Sequence, residues 1–305
     1  MIKNKEQLIQ ILEEYPYPAS AYNIPEYIPI IESLLPFEVI HHNKSVVELH
    51  NKEDILILCK HPPYEKDYLE FGGKYSVNYK NLKDVISLYY TNKTLEWVKS
   101  LPDLETEEGL KFCNPVYSKN SLSLQGKKYA NIRNRINYFN KNQDILLQHR
   151  KITELTKQEL VEIIDLKKMW IKQHDDRVNN GEIYDSLIGS TDNITEQSSI
   201  AFLIDKIDDI DSNHTAYIHT IHYKGKLVAV SLTDKLNSKF VYTPDRVVDM
   251  NYFKELNDLA NYLQLKEIEF WETIQPNSYY LSGSTPIVMS LLDIKMKIPY
   301  DFLII

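Results

Sequence analysis

Glycine and cysteine are scarce in this sequence, and each shortage excludes a class of site. Eight glycines occur in 305 residues, so a function that needs a glycine-rich phosphate cradle has little material to build it from. The two cysteines, Cys59 and Cys113, have neither a CxxC motif nor partners at the spacing of metal ligands. We therefore expect neither a disulfide framework nor a zinc site.

Long apolar runs and an excess of positive charge are also absent. No stretch approaches 18 apolar residues, and the first residues lack the apolar core of a signal peptide. We expect a cytoplasmic protein without integral membrane contact. The net charge of −8 and the pI near 5.6 do not suit a nucleic-acid platform, so no DNA partner is expected, although a local basic patch is compatible with this balance.

The most informative segment is an amphipathic stretch at 124–141. Its apolar side chains recur at helical spacing and predict one buried stripe: Tyr129, Ile132, Ile136 and Phe139. Arg133 and Asn137 lie along one border of that stripe, and Lys128 and Arg135 lie along the other. We interpret these four as candidate substrate-binding residues. The alternative is a solvated basic surface, or backbone hydrogen bonds from Arg133 and Asn137 that tie the helix to the neighbouring sheet.

The pattern of elements predicts an α/β fold with a mixed sheet and helices on both faces. Strand-like runs at 38–41, 45–49 and 54–59 form a small meander after a proline-rich cover. From residue 146 the predicted order is β-α-α-β-β-β-α-β-α-β. A helix over Met250–Leu263 and a strand over Glu267–Trp271 belong to this order.

The order from residue 146 onward is similar to the core of the GCN5-related acyltransferase superfold. A narrower resemblance lies in Asn120-Ser-Leu, Leu124-x-Gly126-Lys127-Lys128-Tyr129 and Arg133-Asn134-x-Ile136-Asn137-x-Phe139-x-Lys141. These residues resemble the signature helix of a bacterial family related to the C-terminal domain of phosphatidylglycerol lysyltransferase. Lys295, near Pro299, also looks like that family and is a further substrate-binding candidate.

This resemblance implies two tandem acyltransferase-like halves. Residues 1–120 would be a degenerate first half with its proline-rich cover, 121–145 a bridging signature helix, and 146–305 the second half. It also implies a donor, either aminoacyl-tRNA or acyl-CoA, and no cofactor is certain. The stretch Tyr242–Asn251 contains no glycine where a coenzyme A enzyme ordinarily binds pyrophosphate. Aminoacyl-tRNA is therefore the favoured donor, and Arg246 is left as a candidate phosphate contact.

Two carboxylates are candidate catalytic residues. Glu272 ends the predicted strand over Glu267–Trp271, where strand ends open onto a cleft, and Asp234 follows another strand. The alternative for each is a solvent-facing acid. His219 and His222 face opposite sides of one strand, which disfavours a shared metal site.

Three functions fit the sequence. The first is transfer of an activated acyl or aminoacyl group to an amine or hydroxyl of a small molecule, lipid head group or peptide. The second is a non-catalytic binding protein on the same scaffold. The third is a conventional acetyl-CoA-dependent N-acetyltransferase, which the stretch at 242–251 disfavours.

Overall fold

A computed structural model describes the chain at residues 1–18, 35–41, 44–50, 55–60, 88–90, 112–179, 215–252, 254–282, 285–286 and 301–304. Within these ranges the strands are β1 Tyr17–Pro18, β2 Glu38–His41, β3 Val46–His50, β4 Ile55–Cys59, β5 Leu88–Tyr90, β6 Phe112–Tyr117, β7 Ile145–Lys151, β8 Tyr217–Tyr223, β9 Lys226–Lys235, β10 Phe240–Val248, β11 Tyr279–Ser282, β12 Thr285–Pro286 and β13 Asp301–Ile304. The α-helices are α1 Lys5–Glu14, α2 Ala130–Lys141, α3 Lys157–Asn179 and α4 Leu259–Ile274.

The first sheet is the predicted meander. Strands β2, β3 and β4 pair antiparallel, and β1 adds to the β4 edge. Helix α1 packs Leu8 and Leu12 into a core that also contains Leu49 of β3 and Phe240 of β10. The N-terminal helix therefore belongs to the same core as part of the second sheet.

The second sheet is mixed, which confirms the predicted fold class. Among the described residues its order is β5-β13-β6-β11-β10-β9-β8-β7, with β12 paired to β6. Strands β10 and β11 run parallel from Phe240 to Thr243, whereas the other pairs are antiparallel. The register of β10 against β9 shifts between Tyr242 and Asp245. After Thr243, β10 no longer pairs with β11, but it remains paired with β9 as far as Val248.

Helices cover both faces of this sheet, as predicted. Val230 and Leu232 of β9 pack with Ile163 and Leu166 of α3. Ser231, between them, points the other way and donates a hydrogen bond to Glu267 of α4. Successive strand side chains point to opposite faces, so α3 and α4 lie on opposite sides. Helix α3 starts with a capping box, in which each side chain of Thr156 and Glu159 accepts a hydrogen bond from the backbone N–H of the other residue.

Two predicted elements near the C-terminus are wrong. The predicted helix over Met250–Leu263 is a single 3₁₀ turn at Met250–Tyr252, and α4 begins at Leu259. The predicted strand over Glu267–Trp271 lies inside α4. Residues 259–274 contain no Gly or Pro and are rich in Leu and Glu, which favour a helix.

Several predictions fall outside the described residues. Most of the proline-rich cover lies there, and so does Lys295. No described helix combines the length and the apolar character that crossing a bilayer requires.

Strand β6, from the predicted first half, lies between β11 and β13, so strands from both predicted halves share one sheet. The division at 120 and 145 stays a prediction.

Candidate functional site

A cleft of about 390 Å³ opens where β7, β8 and β9 meet the end of α4. It is lined by Lys151, Thr215, Tyr217, Lys235, Ser238, Trp271, Ile274 and Gln275. Its volume lies at the lower end of the range typical of small-molecule sites. Polar and cationic groups come from the strands and their connections, whereas Trp271 and Ile274 from α4 supply apolar surface.

Asp234, one of the two predicted catalytic carboxylates, lies immediately behind this cleft. Thr215 donates a hydrogen bond from Oγ1 to Asp234 Oδ1 over 2.5 Å, and the backbone N–H of Lys235 donates to the same oxygen over 2.7 Å. Asp234 is 1% exposed. Burial raises the pKa of this carboxyl to about 7, although both hydrogen bonds favour the ionised form. The Thr215 hydroxyl therefore connects a near-neutral titrating group to the cleft.

The aromatic wall of the cleft is held by a chain of buried hydrogen bonds. Trp271 donates from Nε1 to Thr233 Oγ1 over 2.8 Å, and Thr233 Oγ1 lies 2.5 Å from His219 Nε2. His219 Nδ1 lies 2.6 Å from His149 Nδ1, so one of these two nitrogens carries the shared hydrogen. His149 also stacks on Phe270 at 4.7 Å between ring centroids. The orientation of Trp271 thus depends on two histidines from β7 and β8.

Both histidines are held in the neutral state. Desolvation, reinforced by Lys266, lowers the pKa of His149 to about 4. Desolvation is the main cause that lowers the pKa of His219 well below its ordinary value, and the neighbouring His149 and Arg246 lower it further. The local sequence around His219 does not reveal this partner, because His149 lies on another strand. The register of β7 against β8 places His149 opposite His219.

Arg246, the predicted phosphate contact, lies in a buried ion pair. Its Nε and Nη2 donate to the two carboxylate oxygens of Glu267 over 3.1 and 2.5 Å. Ser231 also donates to Glu267 over 2.6 Å, and Gln264 accepts a longer bond from Arg246 Nη1. A phosphate would therefore have to compete with a bidentate carboxylate that is already desolvated.

Arg133, on the border of α2, binds its own chain. Its Nη1 donates to the carbonyl oxygens of Leu124 and Gly126, the latter over 2.8 Å. These carbonyls belong to the turn before the helix, where Leu124 and Gly126 both have positive φ. Arg133 therefore binds backbone, as the structural alternative expected, but its partner is the preceding turn and not the neighbouring sheet. Asn137 and Lys128 are exposed, and Arg135 is partly buried.

The stripe of α2 is confirmed as structural. Ile132 and Phe139 are buried, and Tyr129 and Ile136 pack against the same clusters. The signature helix contributes no side chain to the cleft lining.

Glu272, the second predicted catalytic carboxylate, lies on the last turn of α4 and not at a strand end. It accepts hydrogen bonds from the Tyr280 hydroxyl over 3.1 Å and from the backbone N–H of Asn277 over 3.2 Å. Burial, followed by Glu272, raises the pKa of Tyr280. Glu272 thus fixes the connection from α4 to β11. Among the described residues, no cluster of three or more His, Cys, Asp or Glu side chains has the arrangement of a metal site.

Comparisons with known proteins agree with the family suggested by the sequence. The model of the phosphatidylglycerol lysyltransferase C-terminal family matches residues 113–245. No curated protein sequence matches the chain.

Three solved structures illustrate the structural likeness. L-PGS from Bacillus licheniformis is 11% identical, with 100% of this chain and 93% of that chain covered and a TM-score of 0.45. A conserved protein of unknown function from Bacteroides thetaiotaomicron is 17% identical, covering 85% and 81%, with a TM-score of 0.44. A tandem GNAT protein from the clavulanic acid biosynthesis pathway is 9% identical, covering 99% and 93%, with a TM-score of 0.45. The match of the family model alone confirms the resemblance suggested by residues 120–141: residues 113–245 match the phosphatidylglycerol lysyltransferase C-terminal family.

Proposed function

We propose that this protein transfers an activated acyl or aminoacyl group to an amine or hydroxyl held in the cleft, with Asp234 as the proton acceptor. The observation that carries the proposal is the Thr215–Asp234 hydrogen bond, which links the cleft to a buried carboxyl with a pKa near 7. A general base works best when its pKa is close to the operating pH. Asp234 fulfils that condition, whereas an ordinary exposed aspartate does not.

The proton balance of this step is simple. The acceptor nitrogen or oxygen attacks the carbonyl carbon of the donor and loses its proton to Thr215 Oγ1. Thr215 passes its own hydroxyl proton to Asp234, and the bond between the carbonyl carbon and the oxygen or sulfur of the donor breaks. Asp234 returns its proton through Thr215 to that leaving oxygen or sulfur and becomes a carboxylate again. Thr215 and Asp234 thus act as one relay.

The proposal favours aminoacyl-tRNA over acyl-CoA as donor because acidic residues surround the start of α4. Asp258, in the left-handed conformation, precedes the helix and makes no side-chain cap, and Glu255 lies three residues earlier. Two of the nearby cations are already paired, Lys224 with Glu255 and Lys226 with Asp249, whereas Lys254 is exposed. A helix N-terminus normally attracts a diphosphate, but carboxylates at this position oppose that attraction.

A tRNA donor would meet the cations near α2. Lys128 and Arg135 are the candidates there, since Arg133 is engaged with its own turn. Contacts of this kind go to phosphates and are independent of sequence. The division into a degenerate first half at 1–120, a bridge at 121–145 and a second half at 146–305 is part of the same proposal.

A second candidate is a non-catalytic binding protein on this scaffold. The observation that favours it is the engagement of two predicted site residues in structural bonds, Arg246 with Glu267 and Glu272 with Tyr280. A conventional acetyl-CoA N-acetyltransferase is less favoured, because the carboxylates near the start of α4 oppose the binding of a diphosphate.

Ligand measurements separate these functions. Thermal shift with acetyl-CoA and gel shift with charged and uncharged tRNA form the first experiment. We expect charged tRNA to bind and acetyl-CoA to leave the melting temperature unchanged. Stabilisation by acetyl-CoA would overturn the choice of donor, and no response to either would favour the binding protein. Lys128→Glu and Arg135→Glu should each weaken tRNA binding, with Lys157→Glu, on the exposed start of α3, as the matched control.

A further inference from the structure

The rim of the cleft is positively charged. Lys151 ends β7 and Lys235 ends β9, with β8 between them. The eight lining residues include these two lysines and no carboxylate. Two acids lie just outside the lining: Asp234, behind the Thr215 hydroxyl, and Glu13, which contacts Lys235 and Ser238. The lining side chains themselves are therefore opposite in sign to the net charge of the chain, −8.

The two lysines differ in how they are neutralised. Within the described part of the chain, the ammonium of Lys151 has no ion-pair partner. Lys235 Nζ lies 3.6 Å from Glu13 Oε1 of helix α1, and both side chains are about one-third exposed, at 37% and 34%. The other oxygen of Glu13 accepts a hydrogen bond from the backbone N–H of Ser238 over 2.9 Å. A partly exposed pair of this length is weak, so an anion in the cleft can compete with Glu13 for Lys235.

The cleft also has an apolar and rigid wall. Tyr217 and Trp271 meet edge to face, with centroids 5.5 Å apart and planes at 82°. Trp271 is fixed by its bond to Thr233, and Ile274 exposes 46% of its surface beside it. Such a wall suits the apolar body of a ligand, since burying apolar area contributes about 25 cal/mol per Å².

We propose that the cleft binds a small organic anion, with its carboxylate or phosphate on Lys151 and its apolar body against Trp271 and Ile274. Lys235 is the second contact, and Glu13 is the internal group that the anion displaces. This inference rests on the proposed function only in identifying the anion as the acyl acceptor. Binding of the anion itself is independent of transfer.

Calorimetry with four matched compounds tests the charge preference. Phenyl phosphate and benzoate carry an anionic group on one aromatic ring, whereas benzamide is neutral and benzylamine is cationic. We expect both anions to bind at least 10-fold more tightly than the other two compounds. Their affinity should fall as sodium chloride is raised from about 0.05 to 0.5 M, because the charges are partly exposed and salt screens them. Equal affinity for all four compounds would overturn the proposal.

Substitutions locate the site. Lys151→Gln should weaken phenyl phosphate binding at least 10-fold, and Lys157→Gln, an exposed lysine at the start of α3, should leave it unchanged. Glu13→Gln should strengthen binding about 3-fold, because the amide still accepts from Ser238 but no longer neutralises Lys235. Equal losses in the Lys151 and Lys157 variants would contradict the site. If Lys151→Gln does not fold, the Glu13→Gln affinity and the salt dependence decide the question.

Two further comparisons separate the possible outcomes. The first comparison uses phosphatidylcholine vesicles that contain 30% phosphatidylserine. If the protein binds these vesicles but not phenyl phosphate, the two lysines serve a lipid surface and the small-molecule proposal is overturned. Asp234→Asn should retain phenyl phosphate binding. If wild type binds phenyl phosphate but transfers no group, the proposed function fails and the anion site stands. If wild type transfers a group but does not bind the anion, the anion site fails and the proposed function stands.

Discussion

Thr215 and Asp234 form a 2.5 Å hydrogen bond that joins the lining of the cleft to a carboxyl buried at the end of β9. Asp234 is accordingly the group whose titration links stability to the proposed chemistry. Its pKa is raised, so the folded state retains this proton at pH values where the unfolded chain has already released it.

Asp234→Asn should stabilise the protein at high pH. The wild-type carboxyl has a folded-state pKa of about 7 against an ordinary value of 3.8, so its contribution to the free energy of unfolding falls as pH rises between those values and stays low above them. The neutral amide removes that loss, and we expect a gain of about 2–4 kcal/mol at pH 8 and little change at pH 4. Urea denaturation at both pH values measures it. Asp144→Asn, at an exposed aspartate, is the control, and equal effects of the two variants would contradict the assignment.

His149→Asn should change the pH dependence in the opposite sense. The folded-state pKa of His149 is about 4, below the ordinary 6.5, so the unfolded chain binds more protons between these values. The contribution of His149 to the free energy of unfolding of the wild type therefore falls as the pH decreases from about 6.5 to 4. The expected decrease is about 1–2 kcal/mol, since solvent partly screens this group. The amide preserves a hydrogen bond to His219 without titrating. A free energy of unfolding with the same slope in wild type and variant would refute this role.

Arg246→Ala should be among the most destabilising single substitutions outside the apolar core. It leaves Glu267, which is 2% exposed, as an uncompensated buried charge, and removal of one partner of such a pair costs about 3–5 kcal/mol. Glu269→Gln, which breaks the exposed Lys266–Glu269 pair, should cost under about 1 kcal/mol. Denaturant midpoints provide the comparison. A cost for Arg246→Ala as small as that of the control would show that the pair is solvated.

Arg133→Ala should weaken the fold and leave ligand binding intact. The guanidinium holds the carbonyls of the positive-φ turn at Leu124 and Gly126, and hydrogen bonds from charged groups contribute about 1.5–3 kcal/mol. Arg135→Ala, on the other border of the helix, should cost less than about 0.5 kcal/mol. If the folded Arg133 variant instead lost tRNA or anion binding at full stability, Arg133 would return to the site.

Local patterns sufficed for the elements whose periodicity is unambiguous. The stripe of α2 and the small meander of β2, β3 and β4 both appear where the sequence predicts them.

The errors arose where long-range pairing decides the structure. Glu267-Ile-Glu-Phe-Trp271 alternates polar and apolar residues like a strand, yet Glu267 points inward in a helix because Arg246 of β10 neutralises it. The cleft was also missed, although Asp234 was identified beside it. Lys151, Thr215 and Trp271 are far apart in sequence and meet only through the pairing of β7, β8 and β9 and the packing of α4.

The discharge of labelled aminoacyl-tRNA as a function of pH tests the central claim most directly. Mixed charged tRNA is incubated with the protein and a pool of small amines and hydroxyl compounds, and the release of label is followed for wild type, Asp234→Asn and Asp144→Asn. We predict release by wild type with an apparent pKa near 7, at least about 100-fold slower release by Asp234→Asn, and no change for Asp144→Asn. Release by Asp234→Asn at the wild-type rate and with the wild-type pH profile would contradict the claim that Asp234 accepts the proton in this cleft.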